Sequence, residues 1–317
     1  MATRALFAAM VALAIAAPLA HASSGDFDPE AVVRRVDRVA ILALARVGGR
    51  TIAAGERGRI LVSDDDGATW KVAATPTFQT LTSLSFSATA GFATGHQGVL
   101  LRSEDGGLTW TQATLDAKDK PALFAVHVVG DKGLAVGAYG ACFQSADDGR
   151  TWTRRRVGGP EFDHHLTGIA SIGPGKFIVA GEAGTLFGSS DDGATWKPLK
   201  SPYAGSFFGA IGLTGGTAIV FGMRGNAWRS ADAGKTWQRI DLGTYKGALQ
   251  GADELPDGSV VLAGADGMIA VSRDGGATFV PQQLGSRASL TSVLRISSGW
   301  IVAGPAGLRS VGQASRP

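Results

Sequence analysis

At seven evenly spaced places in this chain, two residues sit between a pair of glycines, and there the side-chain chemistry changes from copy to copy. The pairs are Glu56-Arg57, His96-Gln97, Ala138-Tyr139, Glu182-Ala183, Met223-Arg224, Ala265-Asp266 and Pro305-Ala306. Carboxylate, guanidinium, imidazole and phenol groups thus appear in turn on one kind of turn. Variable residues on a regular scaffold mark a binding surface. A second concentration is Gly158-Gly159-Pro160-Glu161-Phe162-Asp163-His164-His165, an unusually long connection. Tyr203, Phe207, Phe208, Tyr245, Lys246 and Gln250 lie in or just after later connections. Polar and aromatic groups meeting on a concave face suit a binding site. The candidates are Arg57, His96, Tyr139, Asp163, His164, His165, Glu182, Arg224, Tyr245 and Asp266. Phe207 and Phe208 read as partly core.

Each chemistry these groups suggest has a structural test. Arg57, Arg224 and Arg229 can grip a carboxylate through the guanidinium fork, or serve as solvated turn residues. His164 and His165 are metal-ligand types, but neighbours in sequence point apart and no regular ligand spacing follows, so no metal is expected. No cofactor motif is present. A glycosidase needs two carboxyls about 5 to 9.5 Å apart. Glu56, Glu182 and Asp266 fall on the first, fourth and sixth turns, and the first and fourth are nearly opposite in a ring of seven. Asp163 with Glu182 is the least implausible pair. The single cysteine, Cys142, has no internal disulfide partner and reads as a buried, inert thiol.

The turns belong to a longer repeat. Their first glycines, Gly55, Gly95, Gly137, Gly181, Gly222, Gly264 and Gly304, are 40 to 44 residues apart. A short apolar run follows each, and after six of the runs comes Ser-x-Asp-x-Gly-x-Thr-Trp, with Phe279 closing the last copy. That period matches one four-stranded propeller blade. In the second copy, strands are predicted over 81–87, 91–94, 99–103 and 109–113. The phrase reads as a hairpin clamp. Asp65, Asp105, Asp147, Asp191, Asp232 and Asp274 accept backbone N–H groups, and Trp70, Trp110, Trp152, Trp196, Trp237 and Phe279 pack beside the next strand or blade. The expected fold is all-β: a seven-bladed propeller of four-stranded antiparallel blades. Blade seven stops after three strands. Residues 30–36 are expected to supply its fourth and close the ring, since an open edge is a liability.

The phrase is the Asp-box, or BNR repeat, of sialidases, xyloglucanases, sortilin-type receptors and photosystem II stability and assembly factors. With seven blades of this length, tandem Gly-x-x-Gly turns and an apolar leader, the chain most resembles the photosystem II stability and assembly factor family, over about Asp26 to Gln313. The resemblance implies a non-catalytic scaffold that stabilises or escorts a membrane-protein client through an arginine-bearing face. Arg57 and Arg224 are the positions to test for that role. An envelope transporter or another envelope complex is a further client class. The alternative is an Asp-box glycoside hydrolase. A sialidase needs an arginine triad and a tyrosine nucleophile with an acidic partner, and Tyr139, Tyr203 and Tyr245 are in no such setting. A sortilin-like receptor is disfavoured, since no anchor or disulfide-rich module accompanies the repeat.

Residues 1–22 read as a signal peptide: Arg4, an apolar run from Ala5 to Ala20, and Ala20-His21-Ala22 as the cleavage site. The run is too short for a confident membrane span. Residues 23–317 then form one domain, expected to be periplasmic or secreted and monomeric, without membrane insertion. Removing Arg4 leaves 29 basic against 27 acidic residues, a net charge of +2. That small excess argues against nucleic acid as a partner. The one basic cluster, Arg154-Arg155-Arg156, reads as a solvated outer edge.

Overall fold

Gly91–Gly95, Phe177–Gly181, Ala218–Gly222 and Val260–Gly264 are buried at every position. A strand covered on both faces needs a sheet on each side. Seven sheets standing around an axis meet that need. The computed structural model describes residues 38–312 and has this arrangement.

Blade 1 consists of Ile41–Val47, Arg50–Gly55, Ile60–Ser63 and Lys71–Val72, from the axis outward. Blade 2 is Leu81–Phe86, Gly91–Gly95, Leu100–Ser103 and Thr111–Gln112. Blades 3, 4, 5 and 6 start at Leu123–Val129, Leu166–Ser171, Phe207–Gly212 and Leu249–Glu254, each followed by three antiparallel strands. Blade 7 has Ser292–Ile296, Gly299–Gly304 and Gly307–Gly312 among the described residues. The outer strand of blade 2 is shorter than predicted, because Thr109 and Trp110 are drawn into the Asp-box instead. Residues 30–36, expected to complete blade 7, lie outside the described residues, as does the leader. No helix among the described residues is long and apolar enough to cross a membrane.

The Asp-box repeats one geometry six times. In blade 1 the Ser63 hydroxyl donates to Asp65 (2.8 Å), and Asp65 accepts the Thr69 N–H (2.8 Å) and hydroxyl (2.6 Å). The Gly67 N–H donates to Ser63. The Trp70 indole donates to the Gly67 carbonyl, as those of Trp110 and Trp152 do in blades 2 and 3, whereas the buried indole nitrogens of Trp196 and Trp237 make no hydrogen bond among the described residues. The Thr69 hydroxyl and N–H hold the Asp65 carboxyl down at about 2. Burial works against this at Asp105 and Asp147, yet the same bonds hold both at about 2.

Each Asp-box glycine also abuts the preceding blade. A Cβ on Gly107 would meet Ile52 at 2.8 Å, on Gly149 Phe92 at 1.9 Å, and on Gly193 Leu134 at 2.4 Å. Trp152 is 1% exposed in a core shared with Phe92 and Leu100 of blade 2. Truncating such an indole to alanine costs about 3–5 kcal/mol. The repeated phrase is therefore a joint between blades as well as a turn.

The blade 7–blade 1 seam uses the same contacts as the interior joints. Thr291 donates to the Ile41 carbonyl (3.0 Å) and Ser292 accepts the Leu44 N–H (3.1 Å). Thr82 and Ser83 make the equivalent bonds to Leu123 and Val126 between blades 2 and 3.

One edge departs from expectation. Thr114–Leu115, in the connection between blades 2 and 3, pairs in parallel with the outer strand Thr151–Arg154. Blade 3 thus gains a fifth strand. Arg154 pairs with Asp119 and lies 5.1 Å over the Phe143 ring, while Arg155 donates to Gln144. Two of the three arginines are therefore tied down.

Candidate functional site

The Gly-x-x-Gly turns are built by two steric demands. A Cβ on the first glycine would strike backbone of the incoming strand: Gly55 meets the Ala40 carbonyl oxygen at 2.0 Å and Gly181 that of His165 at 2.1 Å. The fourth residue has positive φ and lies under the next connection; a Cβ on Gly267 would sit 1.7 Å from the Ser286 carbonyl oxygen. The third residue is also left-handed, and it is not glycine: Arg57, Gln97, Tyr139, Ala183, Arg224 and Asp266 have φ between 49° and 58°. Each such residue costs roughly 1–2 kcal/mol against the ordinary backbone, and each is exposed. Side chains held outward on strained backbone tend to belong to functional surfaces. In blade 7 the turn is a two-residue link between paired Gly304 and Gly307, without the left-handed non-glycine residue.

These turns share one face with the connections between blades, since Gly98 donates to the Pro121 carbonyl, Gly140 to that of His164 and Gly184 to that of Gly205. The Asp-boxes occupy the opposite face with the remaining hairpins: Asp148 donates to the Asp131 carbonyl and Asp192 to that of Gly175.

Of the ten candidates, three come together. His165 Nδ1 accepts the Tyr139 N–H (3.2 Å), and the His165 N–H donates to Glu182 (2.9 Å). The Tyr139 and His165 rings meet edge to face at 4.8 Å, and Phe124 lies 5.7 Å from His165. His164 turns the other way, as expected for adjacent residues: its Nδ1 meets the Thr185 hydroxyl at 2.9 Å, and its ring lies 5.5 Å from Phe162 at a tilt of 59°. Asp163 is exposed beside them. Arg57, His96, Arg224 and Asp266 share the face on four different blades and converge on no common point.

Tyr245 is turned inward. Its hydroxyl lies 3.0 Å from the Ala248 carbonyl and 3.1 Å from that of Ala265, and its ring covers Gly225 and Gly247. Burial and nearby Asp266 push its phenol up to about 12. It braces the connection between blades 5 and 6. Phe207 is fully buried, whereas its neighbour Phe208 is 38% exposed.

Residues at the mouth of the central channel complete this face. In blades 1 to 6 the pairing of the two inner strands slips by one residue at the same place, leaving Leu42, Thr82, Phe124, Thr167, Phe208 and Gln250 as bulges. Bulges re-aim side chains. All six line a channel of about 710 Å³. The Thr82 and Thr167 hydroxyls are spent on the Leu123 and Phe207 carbonyls, leaving Phe124 and Phe208 as the aromatic groups of the rim. Of this ring, sequence reasoning reached only Phe208 and Gln250, because a bulge leaves no residue-type signature. The one available signal is the residue following each buried start of an inner strand.

Deeper in the channel, Arg46 bonds Asp66 and the Arg295 carbonyl. Burial raises the Asp253 carboxyl to about 7, with Arg46 opposing. Burial lowers the His127 imidazole to about 4. No group of three or more His, Cys, Asp or Glu able to hold a metal occurs among the described residues. Burial also pushes the Cys142 thiol up to about 12, which leaves it protonated and poor as a nucleophile.

Comparison with known proteins places this geometry. A family model described as Photosynthesis system II assembly factor YCF48 matches residues 68–228. Among solved structures, YCF48 bound to D1 peptide is similar, with 17% identity and a TM-score of 0.67 over 86% of this chain and 90% of that chain. YCF48 from Cyanidioschyzon merolae gives 17% and 0.66, over 86% of this chain and 94% of that chain. The WD40 propeller of Doa1 gives 12% and 0.67, over 85% and 91%. At such identities the likeness speaks for the fold alone. No curated protein matches the sequence. The family model covers half of the chain, and the chain belongs to the photosystem II assembly factor YCF48 family.

Proposed function

We propose that this protein is an exported, non-catalytic binding scaffold that holds a segment of a membrane-protein client on the face of the Gly-x-x-Gly turns. The observation that carries the reading is the ring of strained, outward-facing and chemically varied residues on that face, in a chain of the YCF48 family. A similar structure, YCF48, is bound to D1 peptide. A peptide segment of a client suits the face described here. The face offers Arg57 and Arg224 as carboxylate-binding forks and the Tyr139–His165–Glu182 group as a mixed aromatic and acidic patch. The leader supports export to the periplasm or beyond, and N-terminal sequencing of the mature protein checks cleavage after Ala22.

The test is crosslinked co-purification of the tagged mature protein from its native envelope, comparing wild type with Arg57→Glu/Arg224→Glu. A membrane protein recovered with wild type and lost with the variant is the expected result. Recovery of none overturns the reading.

A further inference from the structure

We propose that the sector of this face from blade 3 to blade 5 takes a partner segment in which a large apolar side chain neighbours a lysine or arginine. The proposal rests on the binding-scaffold reading and names what the site would recognise.

The apolar half of the argument is the channel mouth. Phe124 and Phe208 are bulge residues on either side of Thr167. Their backbones are pinned, since Thr82 donates to the Leu123 carbonyl at 2.7 Å and Thr167 to the Phe207 carbonyl at 2.9 Å. Two phenyl rings on fixed mounts, one of them 38% exposed, open onto a channel of about 710 Å³. An apolar side chain entering between them loses water from both surfaces, which is the main favourable contribution available there.

The charged half lies one step outward. From Phe124 the aromatic surface continues through His165 at 5.7 Å to Tyr139 at 4.8 Å, and Tyr139 is 73% exposed. Glu182 stands beside this strip with its side chain 44% exposed, accepting the His165 N–H and lying 3.7 Å from the His165 ring nitrogen. Glu161 and Asp163 are exposed on the same connection. Among the described residues none of these three acids pairs with a lysine or arginine. His165 Nδ1 is turned to the Tyr139 N–H at 3.2 Å. Aromatic faces beside unpaired carboxylates attract ammonium and guanidinium groups.

The experiment measures fluorescence anisotropy of labelled peptides with the mature protein. Three peptides share a Gly/Ser frame and carry Phe-Arg, Phe-Glu or Ser-Arg at the centre. Phe-Arg should bind about tenfold more tightly than either other peptide, equivalent to about 1.4 kcal/mol. Phe208→Ser should abolish the preference for Phe over Ser while the preference for Arg over Glu persists. Glu182→Gln should do the reverse. Glu161→Gln/Asp163→Asn alters charge at exposed side chains outside the turn and should weaken the Arg preference without moving the melting temperature. Equal binding of the three peptides, or preference for Phe-Glu, overturns the proposal. If the client is still recovered in the co-purification, the scaffold reading stands and this inference alone fails; if no client is recovered either, both fail.

Discussion

Gly67 of blade 1 lies directly against Ile301 of blade 7: a Cβ on Gly67, where φ is +84°, would come 2.7 Å from Ile301 Cδ1. Gly234 on Ile178 and Gly276 on Ile219 are the equivalent contacts at other joints. The closing seam is thus packed like every interior joint, although it joins residues far apart in sequence. Asp66 reinforces it, accepting from Ser297 at 2.9 Å and from Arg46 at 3.1 Å.

Gly67→Ala should therefore loosen the ring where it closes. It adds a left-handed alanine and a clash. A loss of about 2 kcal/mol corresponds to a fall in Tm of roughly 4–8 °C for a chain of this size. Gly48→Ala, with φ +56° and open space around it, should cost less. Differential scanning calorimetry of the two variants checks the ordering. Removal of residues 23–37 should lower Tm sharply if that segment completes blade 7, and an unchanged melt would exclude it as the missing strand.

The Asp-boxes set the acid limit of stability. Five of their carboxyls are held at about 2 and the sixth lower still, all below the ordinary 3.8. A depressed carboxyl stabilises the fold above its unfolded pKa and loses that contribution as pH falls through the folded value. Their contribution to Tm should be complete above about pH 5 and be lost steeply between about pH 4 and 2. Asp147→Ala should lower Tm by about 2–4 °C at neutral pH and soften the acid drop, because one of the six clamps no longer titrates.

Asp253 acts in the opposite sense. Its carboxyl is raised to about 7 by burial, so from about pH 4 to 7 the folded chain retains a proton that the unfolded chain has released. Stability falls as pH rises through that window, and the penalty is complete above it. Asp253→Asn should raise Tm at pH 8 by several degrees and flatten the profile between about pH 4 and 7. Melts across that range decide the matter.

Tyr139 and Tyr245 should separate binding from bracing. Tyr245→Phe removes a hydroxyl bonded to backbone and should lower Tm by about 2–4 °C with client recovery intact. Tyr139→Ala removes a ring that is 73% exposed and should leave Tm within about 1 °C while reducing client recovery. The reverse pattern would exclude Tyr139 from the binding face.

Local chemistry made the repeat legible in the sequence. Each Asp-box is a contiguous clamp whose Ser, Asp, Gly and Thr bond one another within eight residues, and each Gly-x-x-Gly turn needs its outer glycines for reasons of space and of φ at the fourth position. Such units carry their own signature, so the blade number, strand order and outward-facing turn residues could be read from residue types and spacing. Convergence between blades could not. Tyr139, His165 and Glu182 meet because a long connection folds back over a turn, while Tyr245, which looks no different in sequence, is turned inward onto two carbonyls. Phe124 and Phe208 reach the channel mouth through bulges set by strand register, and Asp253 acquires its raised pKa only from the walls of a channel that exists once the ring has closed. Those properties depend on distance and burial, which only the tertiary structure supplies.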